Sequence, residues 1–149
     1  MSAPSLARGL SPLRAVLPNQ VVATAQQNGA APAVAISLAF SAGSLHDPDH
    51  LPGLAYLTSL VIDRGTRRHA AADIAELLDE RGVSLRLTVT RHALSLTCTC
   101  LTEDFADLLG LIADTVRNPV FPDVEIEKRR SEAVTAIRQD ADSTATRSV

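Results

Sequence analysis

Val83-Ser84-Leu85-Arg86-Leu87-Thr88-Val89-Thr90 and Ala93-Leu94-Ser95-Leu96-Thr97-Cys98-Thr99-Cys100 alternate apolar with polar or small residues, and only Arg91-His92 separates them. A period of two is the signature of a strand half-buried on one face. Two such runs with so short a joint predict an antiparallel hairpin. Its buried face collects Val83, Leu85, Leu87 and Val89 from one run and Leu94, Leu96, Cys98 and Cys100 from the other. Slipping the register by one residue would turn that whole set outward, so the register is strongly specified. On this reading Cys98 and Cys100 are small core hydrophobes, not a metal knuckle or a redox pair.

Helical signals flank the hairpin on both sides. Ile74, Leu77 and Leu78 share one side of a helix predicted over Ala70–Arg81, and Gly82 supplies its C-cap. On the other side Thr102 is the expected cap of a third helix, with Glu103 and Asp104 favourable in its first turn. Phe105, Leu108, Leu109, Ile112, Ala113 and Val116 follow helical spacing along it. Asn118-Pro119 stops that helix, and Pro122 opens a fourth that runs toward Gln139. Further upstream, Gly53–Thr66 (GLAYLTSLVIDRGT) is apolar nearly all round and predicts a buried helix over Leu54–Ile62.

Extended runs come first in the chain. Val34–Phe40 reads as a strand buried mainly on one face. Leu13–Leu17 and Val21–Ala25 flank the turn signal Pro18-Asn19-Gln20, where Gln20 stands at a position that Gly would occupy more easily. The order of elements is ββααββαα. It predicts an α+β fold, a mainly antiparallel sheet with helices packed on one face. Residues 1–12 form a flexible lead-in and 13–140 the folded domain. The tail 141–149 has no periodicity, so the chain reads as the front piece of a longer protein.

Composition narrows the function. The 149 residues are 46% hydrophobic and 21% charged, as in a globular domain with its own core. A net charge of −3 and an aromatic content of 3% disfavour a nucleic-acid surface, which needs a basic stripe or stacking rings. No apolar run is long enough to span a membrane, and the N-terminus shows no signal peptide. The sequence leaves the compartment open between cytoplasmic and periplasmic.

In its order and punctuation the chain resembles the N-terminal domain of the insulinase/pitrilysin family of zinc peptidases, the inverzincins. The resemblance runs from Leu13 to Asp140. It is carried by Leu17-Pro18-Asn19, Ala42-Gly43-Ser44, Gly53-Leu54-Ala55, Gly65-Thr66, Ile74-Ala75-Glu76 and Asn118-Pro119-Val120-Phe121. No one of these is specific; the ordered series is. Family members carry His-x-x-Glu-His on the helix that here holds Tyr56 to Leu60. Two imidazoles four apart on one helix face grip Zn²⁺, and the Glu beside the second serves the metal-bound water as general base. A distal Glu on the last helix completes the ligands.

At those positions this chain has Tyr56, Ser59 and Leu60, with Ala136 at the distal position and Arg129 where an upstream acid is expected. Leu60 and Ala136 offer no lone pair, and Ser59 is no base at neutral pH. The resemblance therefore implies a degenerate, non-catalytic member, with no cofactor in this chain and zinc in a catalytic partner subunit. The expected role is a chamber-forming or regulatory subunit in peptide degradation or processing. Its partner would be a zinc-bearing relative or a second copy of itself, and a peptide substrate is possible. The alternative is a structural assembly subunit like the respiratory core subunits.

The remaining polar residues read more plainly. His46, Asp49 and His50 lie in a loop with Asp47-Pro48 and offer a weak substitute metal site, and with it a less favoured active metallopeptidase. The plain reading is a solvated turn. His69 is placed at a helix entrance and His92 at the hairpin tip, both as surface residues. Arg64, Arg67 and Arg68 form a basic cluster that reads as a solvated face able to touch a partner or a peptide carboxylate.

Overall fold

Short apolar runs around tight turns decide the first part of the fold. In the computed structural model, which describes residues 12–142, the chain divides into two compact units, Met1–Pro32 and Ala33–Val149. Residues 1–11 and 143–149, most of the lead-in and of the tail, lie outside the described residues. In the first unit, β1 (Leu13–Val16) pairs with β2 (Val22–Ala25) as an antiparallel hairpin. Its turn puts Gln20 at a φ of 67°, the left-handed conformation that Gly adopts without strain. The Asn19 side chain helps hold the turn by accepting the Val21 amide at 3.3 Å.

The second unit is built on three antiparallel strands in the order β3-β5-β4: β3 Ala33–Phe40, β4 Arg86–Val89 and β5 Leu94–Leu101. The period-two pattern is obeyed in the pairing. Ile36 faces Cys98, Leu38 faces Leu96, Phe40 faces Leu94 and Leu87 faces Leu96, so the apolar residues of three strands share one face. Cys98 and Cys100 are buried, unpaired thiols, and burial pushes both up from their ordinary range. Three strands, not two, precede the first helix, so the full order is βββααββαα. The α+β class stands.

Among the described residues four α-helices complete the unit: α1 Leu54–Val61, α2 Ala71–Glu80, α3 Phe105–Arg117 and α4 Asp123–Asp142. The core joins Ile36, Leu96, Cys98 and Cys100 of the sheet to Val83 and to Leu108 and Ile112 of α3. Burying each such aliphatic side chain is worth about 1.5–3 kcal/mol. The helices lie on this face. Ala35, Ser37 and Thr99, on the other, are exposed.

Several local expectations are corrected. Asp104, not Thr102, occupies the N-cap of α3, so Glu103 and Asp104 precede its first turn, which Asp107 occupies. The buried face of α3 is turned from the one its apolar spacing suggests. Phe105, Leu109 and Ala113 are exposed, while Thr115 is fully buried and Asp114 nearly so. The reason is a polar attachment. Asp114 Oδ1 accepts the Asn118 side-chain amide at 2.8 Å, and the Asn118 carbonyl accepts the Arg67 amide at 3.2 Å. Helix α1 is not buried all round either: Leu54 and Tyr56 are exposed, and within the helix only Ser59 and Val61 are buried. Finally, α4 extends to Asp142, past the Gln139 expected from the sequence and into what reads as the tail.

Candidate functional site: the α1–α4 face and the α2 entrance

Helix α1 begins with no side chain at its N-cap, because Gly53 holds that position at a φ of 91°. Its first-turn amides need an acceptor from elsewhere. Asp47 supplies it: Oδ2 accepts the Gly53 amide and Oδ1 the Ala55 amide, each at 2.8 Å. A carboxylate at a helix N-terminus also meets the positive end of the helix dipole. Asp47→Ala removes both bonds. The expected cost is about 1–2 kcal/mol, read as a lower urea midpoint together with loss of amide protection at Gly53 and Ala55. Asp47 thus has a structural task, which its Asp-Pro context disguised as a simple turn.

The three positions of the degenerate motif then fall one after another. Tyr56 is 47% exposed, Leu60 is half-buried, and Ser59 is 6% exposed with its hydroxyl donating to the Tyr56 carbonyl at 2.7 Å. Ser59 Oγ is thereby engaged by its own helix. Helix α4 packs against α1 and carries Ala136, which is exposed. These positions thus offer a phenol and an aliphatic side chain on α1 and a methyl group on α4.

Ion pairs follow α1 and run along α4, each within its own segment. Arg64 Nε lies 3.2 Å from Asp63 Oδ1. On α4, Arg129 reaches Glu132 at 2.7 Å and Glu125 at 3.9 Å. Burial pushes the Asp63 carboxyl up from its ordinary value, against the opposing pull of Arg64 and, more weakly, of Arg129. Arg129 therefore stands as a fixed cation among acids at the position where an acid was expected.

His46, Asp49 and His50 are not brought together on one element. His46 closes a 3-10 turn, Ser44–His46, after which Asp47 is extended (φ −63°, ψ 134°). Pro48 disfavours helix at the residue before it. The spacing His46-x-x-Asp49-His50 has the family's motif pattern with Asp for Glu, but without a helix the i, i+4 relation gives no common face. Among the described residues no group of three or more His, Cys, Asp or Glu is gathered as for a metal ion.

A second polar centre, unmarked by any motif, ties the α1–α2 connection to α3. Gly65 pairs with Ala70, and Thr66 with Pro119, as isolated bridges. The Thr66 hydroxyl accepts the Arg68 and His69 amides, each at 3.1 Å. Asp114 reaches this turn from α3, with His69 Nδ1 at 3.7 Å from its Oδ2. The neighbouring Thr66 hydroxyl, then the Asn118 amide, hold the Asp114 carboxyl below its ordinary range, helped by Arg68 and His69 and opposed by burial. His69 is half-buried against this carboxylate, not a plain surface residue; His92 does sit exposed at the hairpin tip.

The sign for stability follows from that depressed value. A carboxyl lowered in the folded state contributes stability above its unfolded pKa, and that contribution disappears as pH falls through the folded value. Asp114→Asn keeps an acceptor for Asn118 and removes the charge. It is expected to be less stable than the parent at neutral pH, with the gap closing as pH falls through and below the ordinary carboxylate range. Urea midpoints of both proteins against pH read this directly; a gap independent of pH would assign the effect to packing alone.

Comparison with known proteins places this arrangement. The model of the insulinase peptidases, family M16, matches residues 21–149. The chain is 30% identical over 115 residues to a protein of Helicobacter pylori named non-peptidase homolog YmxG, covering 76% of this chain and 26% of that protein. The fold is shared with an M16 inactive domain from Pseudomonas fluorescens (TM-score 0.83, 18% identity, 90% of this chain and 33% of that one). It is shared also with pitrilysin (TM-score 0.73, 20% identity, 86% of this chain and 14% of that one). The chain thus spans about a quarter of the length of its curated relative and about a third of the Pseudomonas structure. With nearly all of its residues matched by the family model and its fold that of the family's solved domains, the chain belongs to the insulinase family of peptidases, family M16.

Proposed function

We propose that this chain is a domain of a non-peptidase M16 homologue, a chamber-forming or regulatory partner of a zinc-bearing relative in peptide degradation or processing. The observation that carries this reading is the residue set at the family's chemical positions. Tyr56, Ser59, Leu60 and Ala136 supply no imidazole and no carboxylate; of the two hydroxyls there, that of Ser59 is buried and bonded to its own helix, and that of Tyr56 is a phenol on an exposed side chain. Zinc at a catalytic site takes three N, O or S ligands from the protein, and neither a methyl nor an isobutyl group can replace one. The non-peptidase homolog of Helicobacter pylori and the inactive domain of Pseudomonas fluorescens support the non-peptidase part of this reading.

Two measurements test it. Elemental analysis of the purified chain should find zinc far below one equivalent; tight stoichiometric zinc would overturn the proposal. Gentle purification of the tagged gene product from its native host should recover a companion carrying His-x-x-Glu-His. Recovery of only the protein itself, or of a membrane complex, would favour an assembly subunit with no proteolytic role.

A further inference from the structure

The α1–α2 connection lines an open groove of about 530 Å³ whose charge runs against that of the protein. Arg64, Arg67, Arg68 and His69 line it with Val120, Pro122 and Val124, and the acid that also lines it, Glu125, has Arg129 beside it at 3.9 Å. Arg64 is partly neutralised by Asp63. Arg67 and Arg68 are exposed and make no ion pair among the described residues, in a chain where acids outnumber bases 17 to 14. A guanidinium presents a planar fork that matches a carboxylate.

The fork-bearing turn is held before any ligand arrives. The Arg67 amide donates to the Asn118 carbonyl at 3.2 Å, and the Arg68 amide to Thr66 Oγ1 at 3.1 Å. Gly65, at a φ of 135°, lets Val120 approach: a Cβ there would stand 3.2 Å from Val120 Cγ2. Ala70, the N-cap of α2, lines the same groove, and its amide is held by the Asp73 carboxylate at 2.8 Å. A preformed site loses less ordering entropy on binding.

We propose that this groove binds an acidic peptide segment. Arg67 and Arg68 take its side-chain carboxylates, and the wall of Val120, Pro122 and Val124 takes an aliphatic side chain beside them. Two unpaired arginines and an apolar wall suit a peptide better than a polyphosphate backbone, which needs a longer basic stripe. The site goes beyond the non-peptidase reading and does not depend on it, since none of Tyr56, Ser59, Leu60 or Ala136 lines the groove.

The test is fluorescence anisotropy on the 149-residue chain with a short labelled peptide of alternating glutamate and leucine, and with its glutamine counterpart. The acidic peptide should bind, less tightly as salt rises, and the glutamine peptide should not. Arg67→Ala/Arg68→Ala keeps both backbone donors and should weaken binding by about tenfold or more. Arg67→Lys/Arg68→Lys keeps the charge without the fork and should fall between. Arg86→Ala/Arg91→Ala, two exposed arginines elsewhere, should leave binding unchanged. The proposal is overturned by equal binding of the glutamine peptide, by no binding at all, by an unchanged Arg67/Arg68 double variant, or by single-stranded RNA displacing the peptide at lower concentration than the peptide itself needs.

Discussion

Truncating Leu96 to alanine should destabilise the Ala33–Val149 unit by about 3–4 kcal/mol. Leu96 is 0% exposed on the central strand β5, with Leu38 opposite it on β3 and Leu87 opposite it on β4. Losing the side chain removes its transfer free energy and leaves a void. Strand neighbours on both sides resist collapse into that void, which keeps the cost toward the upper part of the usual range for Leu→Ala. Urea unfolding at constant m-value is the direct measurement. A loss below about 1 kcal/mol would mean that the core relaxes around the gap, and would put the centre of packing elsewhere.

Gly43→Ala should also cost about 2–3 kcal/mol or more, though only one methyl group is added. Gly43 is buried against the tip of the β4–β5 hairpin. A Cβ on it would press on the backbone of Arg91, His92 and Ala93, standing 2.6 Å from the Arg91 carbonyl carbon. Backbone cannot rotate away as a side-chain end can. The contact is also a hydrogen-bonded seam: the Ser44 amide donates to the Thr90 carbonyl at 3.1 Å, and the Leu45 amide to the Arg91 carbonyl at 2.9 Å. The methyl group must open that seam or displace the hairpin tip. A lower unfolding midpoint together with faster amide exchange at Ser44 and Leu45 is the expected signature. An unchanged midpoint would show that the tip gives way freely.

These two positions differ in how far they were readable in advance. Leu96 was legible, because strict alternation on either side of Arg91-His92 specifies both strand and buried face. Gly43 read only as the end of a strand. What makes it glycine is a segment about fifty residues away, and local pattern carries no record of such an approach.

The candidate site divides in the same way. That Tyr56, Ser59 and Leu60 share a helix follows from the apolar run between Gly53 and Gly65, and their lack of ligand chemistry is a property of the residues themselves. Asp114 and Thr66 were not legible as a pair. Each is unremarked where it stands, one in an amphipathic helix and one after a glycine, and only the fold brings them together.

Residue order by itself determined the α+β class, the four helices and the pairing of β4 with β5. Those depend on backbone periodicity, capping and turn residues, which act over a few positions. Tertiary structure alone decided which way α3 turns, how far α1 is exposed and why Asp47 matters. A helix settles its rotation by summing all its contacts. Here Asp114 and Asn118, meeting the Thr66–His69 turn, outweighed the burial of Phe105 and Leu109.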